Sequence, residues 1–253
     1  VDWLLYIAVR TIKAFDRRNT DLKEFKPDKV KKILVVSSTA IGDTLLSTPA
    51  IRAVRERYSD AGIIAHFNRM NMEMFENNPH IDGIIPYYGG YKKFLKTIRE
   101  IRKHRFDVIL IFHGNEPQAT PMAYLSGSRF IVKLPNVSEY GFLLSNRKPA
   151  AGWKDMGHGI EQRLNIANLV GCSSEDKRIV LPINKEDEEA IWGFLKNESV
   201  QDDDVLIGFQ VGASTLSRMW FAERFVELVK RLIAAYPMVR IIITGSPAEK
   251  DYC

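Results

Sequence analysis

Apolar positions along this chain fall into two alternating rhythms. Lys32–Ser37 (KILVVS), Asp107–Phe112 (DVILIF), Val205–Gln210 (VLIGFQ) and Arg240–Thr244 (RIIIT) are short, nearly continuous apolar runs. Runs of that length, rich in β-branched residues, predict strands covered on both faces. Gly62–Phe67, Ile81–Pro86 and Arg129–Leu134 read as further strands. Between them, helical spacing predicts Thr44–Tyr58, Lys92–His104, Pro117–Ser126, Gly159–Val170, Lys185–Lys196 and Ala222–Ala235, with a short helix at Asn71–Asn77. Strand followed by helix, repeated in this way, implies an α/β protein with parallel sheets flanked by helices. Residues 135–157 are irregular and carry Gly, Pro and Asn, which suits an interdomain or active-site loop.

Residues 1–18 predict an amphipathic helix, with Leu4, Leu5, Ala8, Val9, Ile12 and Phe15 on one side and Arg10, Lys13, Arg17 and Arg18 on the other. Such a segment either lies in a membrane interface or packs on the protein's own body. The reading divides the chain into a helix and linker over 1–26, a first α/β domain over 27–178 and a second over 179–253. Two buried strands are too few to close a sheet and bury both its faces. The second domain is therefore expected to be incomplete, and the sequence a fragment.

Composition adds limits rather than identity. Of 253 residues, 45% are hydrophobic and 26% charged, the balance of an ordinary globular protein. No apolar run approaches the ~20 residues of a spanning helix. The two cysteines, Cys172 and Cys253, offer neither a disulfide framework nor zinc spacing, and so suggest a reducing compartment. The net charge of +5 is concentrated. Residues 1–32 hold nine Lys/Arg against five Asp/Glu, and Tyr91–Phe106 carries seven Lys/Arg against Glu100 alone. These stretches are either solvated helix faces or sites for an anionic partner. Nucleic acid is not expected, since no recognised binding motif accompanies them.

Two strand-to-helix turns carry the candidate chemistry. The first is Ser37-Ser-Thr-Ala-Ile-Gly-Asp-Thr-Leu-Leu-Ser-Thr-Pro49, at the carboxyl end of the first strand, where open α/β sheets bind ligands. Gly42 allows a close backbone approach there. Asp43 is either an N-cap, worth roughly 1 kcal/mol, or a functional carboxylate. The segment is neither a P-loop nor a GxGxxG fingerprint. The second is Gly208-Phe-Gln-Val-Gly-Ala-Ser-Thr-Leu-Ser-Arg-Met-Trp-Phe221. Its Ser214, Thr215 and Arg218 are either an ordinary loop or a diphosphate cradle before a helix. Trp220 reads as a packing anchor. The histidines show no metal-ligand spacing, and no GxSxG nucleophile is present.

Together the two segments resemble glycosyltransferase family 9, the lipopolysaccharide heptosyltransferases and their relatives. Ile41, Gly42, Asp43, Leu45, Leu46, Thr48, Pro49 and Arg55 match that family's "IGDxLLxTPxxxxLR" run. Gly212, Ala213, Trp220, Glu223, Phe225 and Leu228 match its "PGAxxxxKxWPxexFxxL" run, with Arg218 in place of the usual Lys and Phe221 in place of Pro. His158, Arg163 and Leu164 resemble its "HxxxrxLxLa" helix. The likeness runs in order from about Lys31 to the last residue. The family's later Thr-Ser-Leu and "SDSGxxHLAxA" motifs are absent from this sequence.

The resemblance implies a GT-B architecture of two Rossmann-like domains, with the acceptor on the N-terminal one and a nucleotide sugar on the C-terminal one. It implies inverting transfer without metal or other cofactor, from a donor such as ADP-heptose to a lipopolysaccharide core or related glycolipid. Asp43 would be the catalytic base, and Ser214, Thr215 and Arg218 the donor diphosphate site. Glu249 would lie near the donor nucleotide or sugar. Gly42, Thr44 and His113 would lie on the acceptor side. Such an enzyme would be peripheral on the cytoplasmic face of a bacterial inner membrane. The alternative is a non-catalytic module that binds a sugar nucleotide or glycan. Asp202-Asp203-Asp204 has the form of the metal-binding DxD of the other large glycosyltransferase fold, but it precedes a strand and reads as a solvated turn.

Overall fold

A computed structural model describes residues 2–213, 215–246 and 249. The chain divides into two compact units, Val1–Pro182 and Ile183–Cys253. The first is built on a five-stranded parallel sheet in the order β3-β2-β1-β4-β5. Its strands are β1 (Lys32–Ser37), β2 (Gly62–Asn68), β3 (Gly83–Tyr87), β4 (Val108–His113) and β5 (Phe130–Lys133). Helices α1 (Asp2–Phe15), α2 (Ile41–Arg57), α3 (Phe94–His104), α4 (Ala119–Leu125) and α5 (Gly159–Asn168) surround it.

The unbroken apolar runs are explained by burial on both sheet faces. Ile33, Val35, Ile63, Phe67, Leu110 and Phe112 point to one face, where α2 and α5 cover them. Leu34, Val36, Ile109 and Ile111 point to the other, beneath α1, α3 and α4. Each such side chain taken fully from water contributes roughly 1.5–3 kcal/mol, so neither face can be left bare. The expected short helix at Asn71–Asn77 is a 3-10 segment, Arg69–Phe75. Residues 135–157 hold only the short 3-10 turns Gly141–Leu143 and Trp153–Asp155.

Two expectations need correction. The α2 helix begins at Ile41 instead of Thr44, with Ala40 as its N-cap. Asp43 therefore lies inside the first turn and is not the cap. The spacing of the N-terminal helix also predicts one apolar face, whereas the structure divides those residues in two. Val9 is buried, and Leu5 and Tyr6 pack beside it on the body, while Leu4, Ala8, Ile12 and Phe15 face outward. Trp3 and Ile7 join the outward set. A helix of this composition carries two adjacent apolar stripes, and a single contact with the sheet layer covers only one of them.

The second unit pairs β6 (Val205–Gln210) in parallel with β7 (Val239–Thr244), Val205 opposite Val239 and Gln210 opposite Thr244. Helix α6 (Lys185–Asn197) precedes this pair, and α7 (Ala222–Ala235) connects the two strands. Among the described residues, no helix is long and apolar enough to cross a membrane.

Candidate active site

The first sheet reverses direction between β1 and β4. The chain runs from β1 outward through β2 and β3, then returns to add β4 and β5 on the other side. The carboxyl ends of the two central strands thus diverge, leaving the crevice in which open α/β sheets hold ligands. Ser37 of β1 is in register with His113 of β4, and Ser38 N–H donates to the His113 carbonyl at 2.9 Å. Asp43 follows β1 by one turn of α2. The fold alone thus brings Asp43 and His113 together.

Side chains complete the arrangement. Thr39 Oγ1 donates to Asp43 Oδ2 at 3.1 Å and lies 2.6 Å from His113 Nδ1. A carboxylate paired with a cation only accepts, so the Thr39 proton goes to Asp43 and the Thr39 lone pair receives Nδ1–H. That network assigns the tautomer and leaves Nε2 bare, 3.7 Å from Asp43 Oδ1. Burial lowers the His113 pKa, against the opposing pull of the Asp43 charge, while Arg163 and Lys133 add to the lowering. Burial thus favours the neutral form of the imidazole.

The cation is Arg163 of α5, whose guanidinium donates to Asp43 Oδ1 at 3.2 Å. Arg163 is 2% exposed, yet Asp43 is 32% exposed. The pair therefore anchors the carboxylate from behind while its front meets solvent. Arg163 also donates from Nε to Ser47 Oγ at 3.0 Å and from NH1 to the Gly159 carbonyl at 2.8 Å. Its bonds thus tie α5 to α2. A Cβ at Gly159 would meet that NH1 at 3.0 Å and Leu46 Cδ1 at 3.1 Å, so a glycine leaves room for the guanidinium. Burial pulls the Arg163 pKa down and Asp43 holds it up.

Thr44 departs from its expected acceptor-side role. It is fully buried, and its hydroxyl donates to the Ser37 and Ala40 carbonyls at 3.2 Å each, so it fastens the turn and is closed off from solvent. Gly42 is exposed at the start of α2, with open space where a Cβ would stand.

Beside His113 a pocket of about 310 Å³ opens at the carboxyl ends of β4 and β5. Its wall includes Glu116, Lys133, Ser138, Gln162 and Trp153. Glu116 Oε1 accepts from both Lys133 and Thr120, while Glu116 Oε2 and Ser138 Oγ are covered and have no hydrogen-bond partner. Trp153 is 68% exposed. An open aromatic face beside polar groups suits a sugar ring, which offers an apolar face and hydroxyls together. A larger hollow of about 660 Å³ lies at the opposite, amino-terminal end of β4 and β5, away from this chemistry.

In the second unit, the loop after β6 carries Thr215 and Arg218, both exposed. Arg218 ends the 3-10 turn Leu216–Arg218, its N–H donating to the Thr215 carbonyl at 3.0 Å, and Thr215 Oγ1 is 3.2 Å from Ser217 Oγ. Ser214 lies outside the described residues. Glu249 accepts from Ser246 N–H at 2.6 Å, which holds its pKa below the usual value. Its carboxylate crosses Gly212 so closely that a Cβ there would stand 1.8 Å from Oε1. Glu249 and the Gly212 loop thus meet at the carboxyl ends of β6 and β7. Trp220 packs edge-on against Phe225, with ring centroids 4.8 Å apart. Asp204 accepts from Arg240 at 3.0 Å and from Gln201 N–H at 2.8 Å, as a turn residue does. Among the described residues, no group of three His, Cys, Asp or Glu side chains could hold a metal ion.

Sequence reasoning missed Thr39, Glu116, Lys133 and Trp153 as candidate site residues, and gives Arg163 no role beyond its place in the family-like helix. The signal for Arg163 was present. It is a cation among Ile160, Leu164, Ile166 and Ala167, on a helix face that must be buried.

No protein-family profile matches the chain, and no curated protein matches it by sequence. Solved structures do match. A glycosyl transferase family 9 protein from Veillonella parvula DSM 2008 superposes with a TM-score of 0.70 at 19% identity, covering 87% of this chain and 64% of its own. E. coli ADP-heptose lps heptosyltransferase II gives 0.69 at 18% identity, covering 87% of this chain and 66% of its own. E. coli heptosyltransferase WaaC with ADP gives 0.64 at 15% identity, covering 87% and 69%. The chain thus spans about two thirds of the length of these proteins. The likeness read from the motifs holds at the level of the fold, which is the α/β, GT-B type of these glycosyltransferases.

Proposed function

We propose that this protein is an inverting, metal-independent glycosyltransferase that uses Asp43 as its base. The supporting observation is the Asp43 carboxylate, anchored by buried Arg163 at the point where the sheet reverses, with its free edge open to solvent. In the reaction, Asp43 takes the proton of an acceptor hydroxyl as that oxygen bonds to the anomeric carbon. The bond from that carbon to the phosphate oxygen breaks, and the nucleoside diphosphate leaves with the bonding electrons. Attack from the face opposite the leaving group inverts the anomeric centre.

Arg163 and Thr39 fix the orientation of the carboxylate toward the acceptor hydroxyl. The departing diphosphate needs cation and hydroxyl partners, and Arg218, Thr215 and Ser214 supply them in this reading. Glu249, beside the same loop, would contact the donor nucleotide or sugar. The pocket with Trp153, Glu116 and Lys133 would hold a sugar of the acceptor. Of the acceptor-side residues, His113 borders this pocket, and Gly42 is exposed at the start of α2.

For the substrates, we infer ADP-heptose or a similar nucleotide sugar as donor and a lipopolysaccharide core or related glycolipid as acceptor. The solved neighbours whose names specify ADP-heptose and heptosyl transfer support this choice. The location that fits such an acceptor is the cytoplasmic face of a bacterial inner membrane. The test incubates the full-length protein with a panel of sugar nucleotides and glycolipid acceptors, and follows nucleoside diphosphate release. ADP-sugar turnover that depends on acceptor is expected. Release from no donor in the presence of any acceptor would refute the reading.

A further inference from the structure

We propose that the outward face of α1, with the cations of α3 on the same side of the sheet, docks this protein on an anionic lipid bilayer. The inference stands apart from the transfer chemistry and uses none of its residues.

The helix is a fixed part of the body. Val9 is buried in the core beneath α1, α3 and α4, and Leu5 and Tyr6 pack against that core. The Asp2 carboxylate accepts from Tyr91, Tyr6 packs edge-on against Tyr140 and Phe142 with centroids 5.8 Å apart, and Tyr124 donates to Asp16, the residue after α1, at 2.9 Å. With that side seated, positions 3, 4, 7, 8, 11, 12 and 15 form the opposite side at helical spacing. Five of them are large and apolar, namely Trp3, Leu4, Ile7, Ile12 and Phe15, and all five are exposed, from 42% at Ile7 to 82% at Phe15.

Helix α3, on the same sheet face, supplies the charge. Both α1 and α3 cover the sheet face formed by Leu34, Val36, Ile109 and Ile111, and Tyr91, which bonds Asp2, lies just before α3. The outer surface of that layer therefore carries an apolar ridge on α1 and a cationic one on α3 and the two residues before it. The latter consists of Lys92, Lys93, Lys96, Arg99, Arg102 and Lys103, all exposed. The one acid in that segment, Glu100, is occupied by Lys103 at 3.0 Å.

Apolar side chains beside unbalanced cations match a bilayer surface, where acyl chains take the first and anionic headgroups the second. A second copy of this chain meeting face to face would bring like charges together, because a two-fold interface pairs the same patch with itself. Nucleic acid would use the cations but leave the aliphatic ridge without a partner.

The test is co-sedimentation of the full-length protein with vesicles of phosphatidylcholine alone, or mixed with phosphatidylglycerol, at low and high salt. Binding to the mixed vesicles is expected, weakened by salt, with little to phosphatidylcholine alone. The Trp3→Ser/Phe15→Ser variant should lose about tenfold or more in partitioning. Lys92→Ala/Lys93→Ala/Lys96→Ala should lose up to about fivefold per cation. Both sets are exposed, so unchanged thermal melts are expected for each variant. Should a variant nevertheless misfold, quenching of wild-type fluorescence by brominated acyl chains, read against Trp3→Phe, reports the same insertion. Wild-type protein left in the supernatant with mixed vesicles, or variants that bind as well as wild type, would overturn the proposal. So would equal affinity for a homopolymeric RNA, or a dimer that Trp3→Ser/Phe15→Ser dissolves without any vesicle binding.

Discussion

Replacing Asp43 by Asn separates catalysis from stability, because the same carboxylate takes part in both. Arg163 is fully covered, and among the described residues Asp43 is its only carboxylate partner. Removing one member of a fully buried pair costs about 3–5 kcal/mol, since the other charge is left without compensation. Two features reduce that figure here. The Asp43 side chain is about a third exposed, so water reaches its edge, and Asn keeps an oxygen where Oδ1 accepts from Arg163. The expected loss is about 1–2 kcal/mol. For a chain of this size it appears as a drop of about 2–8 °C in Tm. Turnover should fall much further, by roughly a hundredfold or more, because the amide cannot take a proton. Donor affinity should hold, since the donor groups lie in the other unit. The assay is acceptor-dependent diphosphate release beside a thermal melt, both on full-length protein. The reciprocal variant Arg163→Met should lose more stability than Asp43→Asn, because bonds to Ser47 and Gly159 vanish as well. Near-normal turnover in Asp43→Asn would remove that residue from the mechanism. An unchanged Tm would contradict the anchoring pair.

Further outcomes follow from the same geometry. Arg218→Ala should weaken binding of a nucleoside diphosphate more than of the nucleoside, measured by calorimetry; equal losses would exclude a phosphate role. Trp153→Ala should raise the acceptor KM about tenfold and leave the donor KM alone, since the pocket adjoins His113; a matching rise in donor KM would move the pocket out of acceptor binding. Stability should fall as pH drops from about 6.5 toward 4. His66 is fully buried with Nδ1 on the Ile85 carbonyl, and burial pushes its pKa down to about 4. The unfolded chain then binds more protons in that window, so the folded state loses up to about 3 kcal/mol by its lower end. His80 and His113 are shifted in the same direction. Chemical denaturation at several pH values should show a slope that shrinks in His66→Phe; an undiminished slope would exclude His66 as its source.

Much of the scaffold could be read directly from residue order. The runs KILVVS and DVILIF are β1 and β4 within a residue, because a strand buried on both faces admits no polar interruption. The strand-to-helix turn that carries Asp43 is legible in the same way, since such a turn is a local feature, but spacing leaves open whether Asp43 is a cap or a functional carboxylate. The actual neighbours of Asp43 are not legible there. Arg163 is 120 positions away, and only the packing of α5 on α2 decides that its guanidinium ends on Asp43 Oδ1. His113 reaches the same carboxylate through the pairing of β4 with β1. Thr44, expected on the acceptor side, is turned inward by α2, a matter of helix phase set by where the helix starts. The helix at the amino terminus shows the same limit. Its periodicity marks it as amphipathic, but which of two adjacent apolar stripes seats on the sheet layer depends on the surface beneath it. Local periodicity is written residue by residue, whereas proximity across the fold is decided by register, crossover and packing.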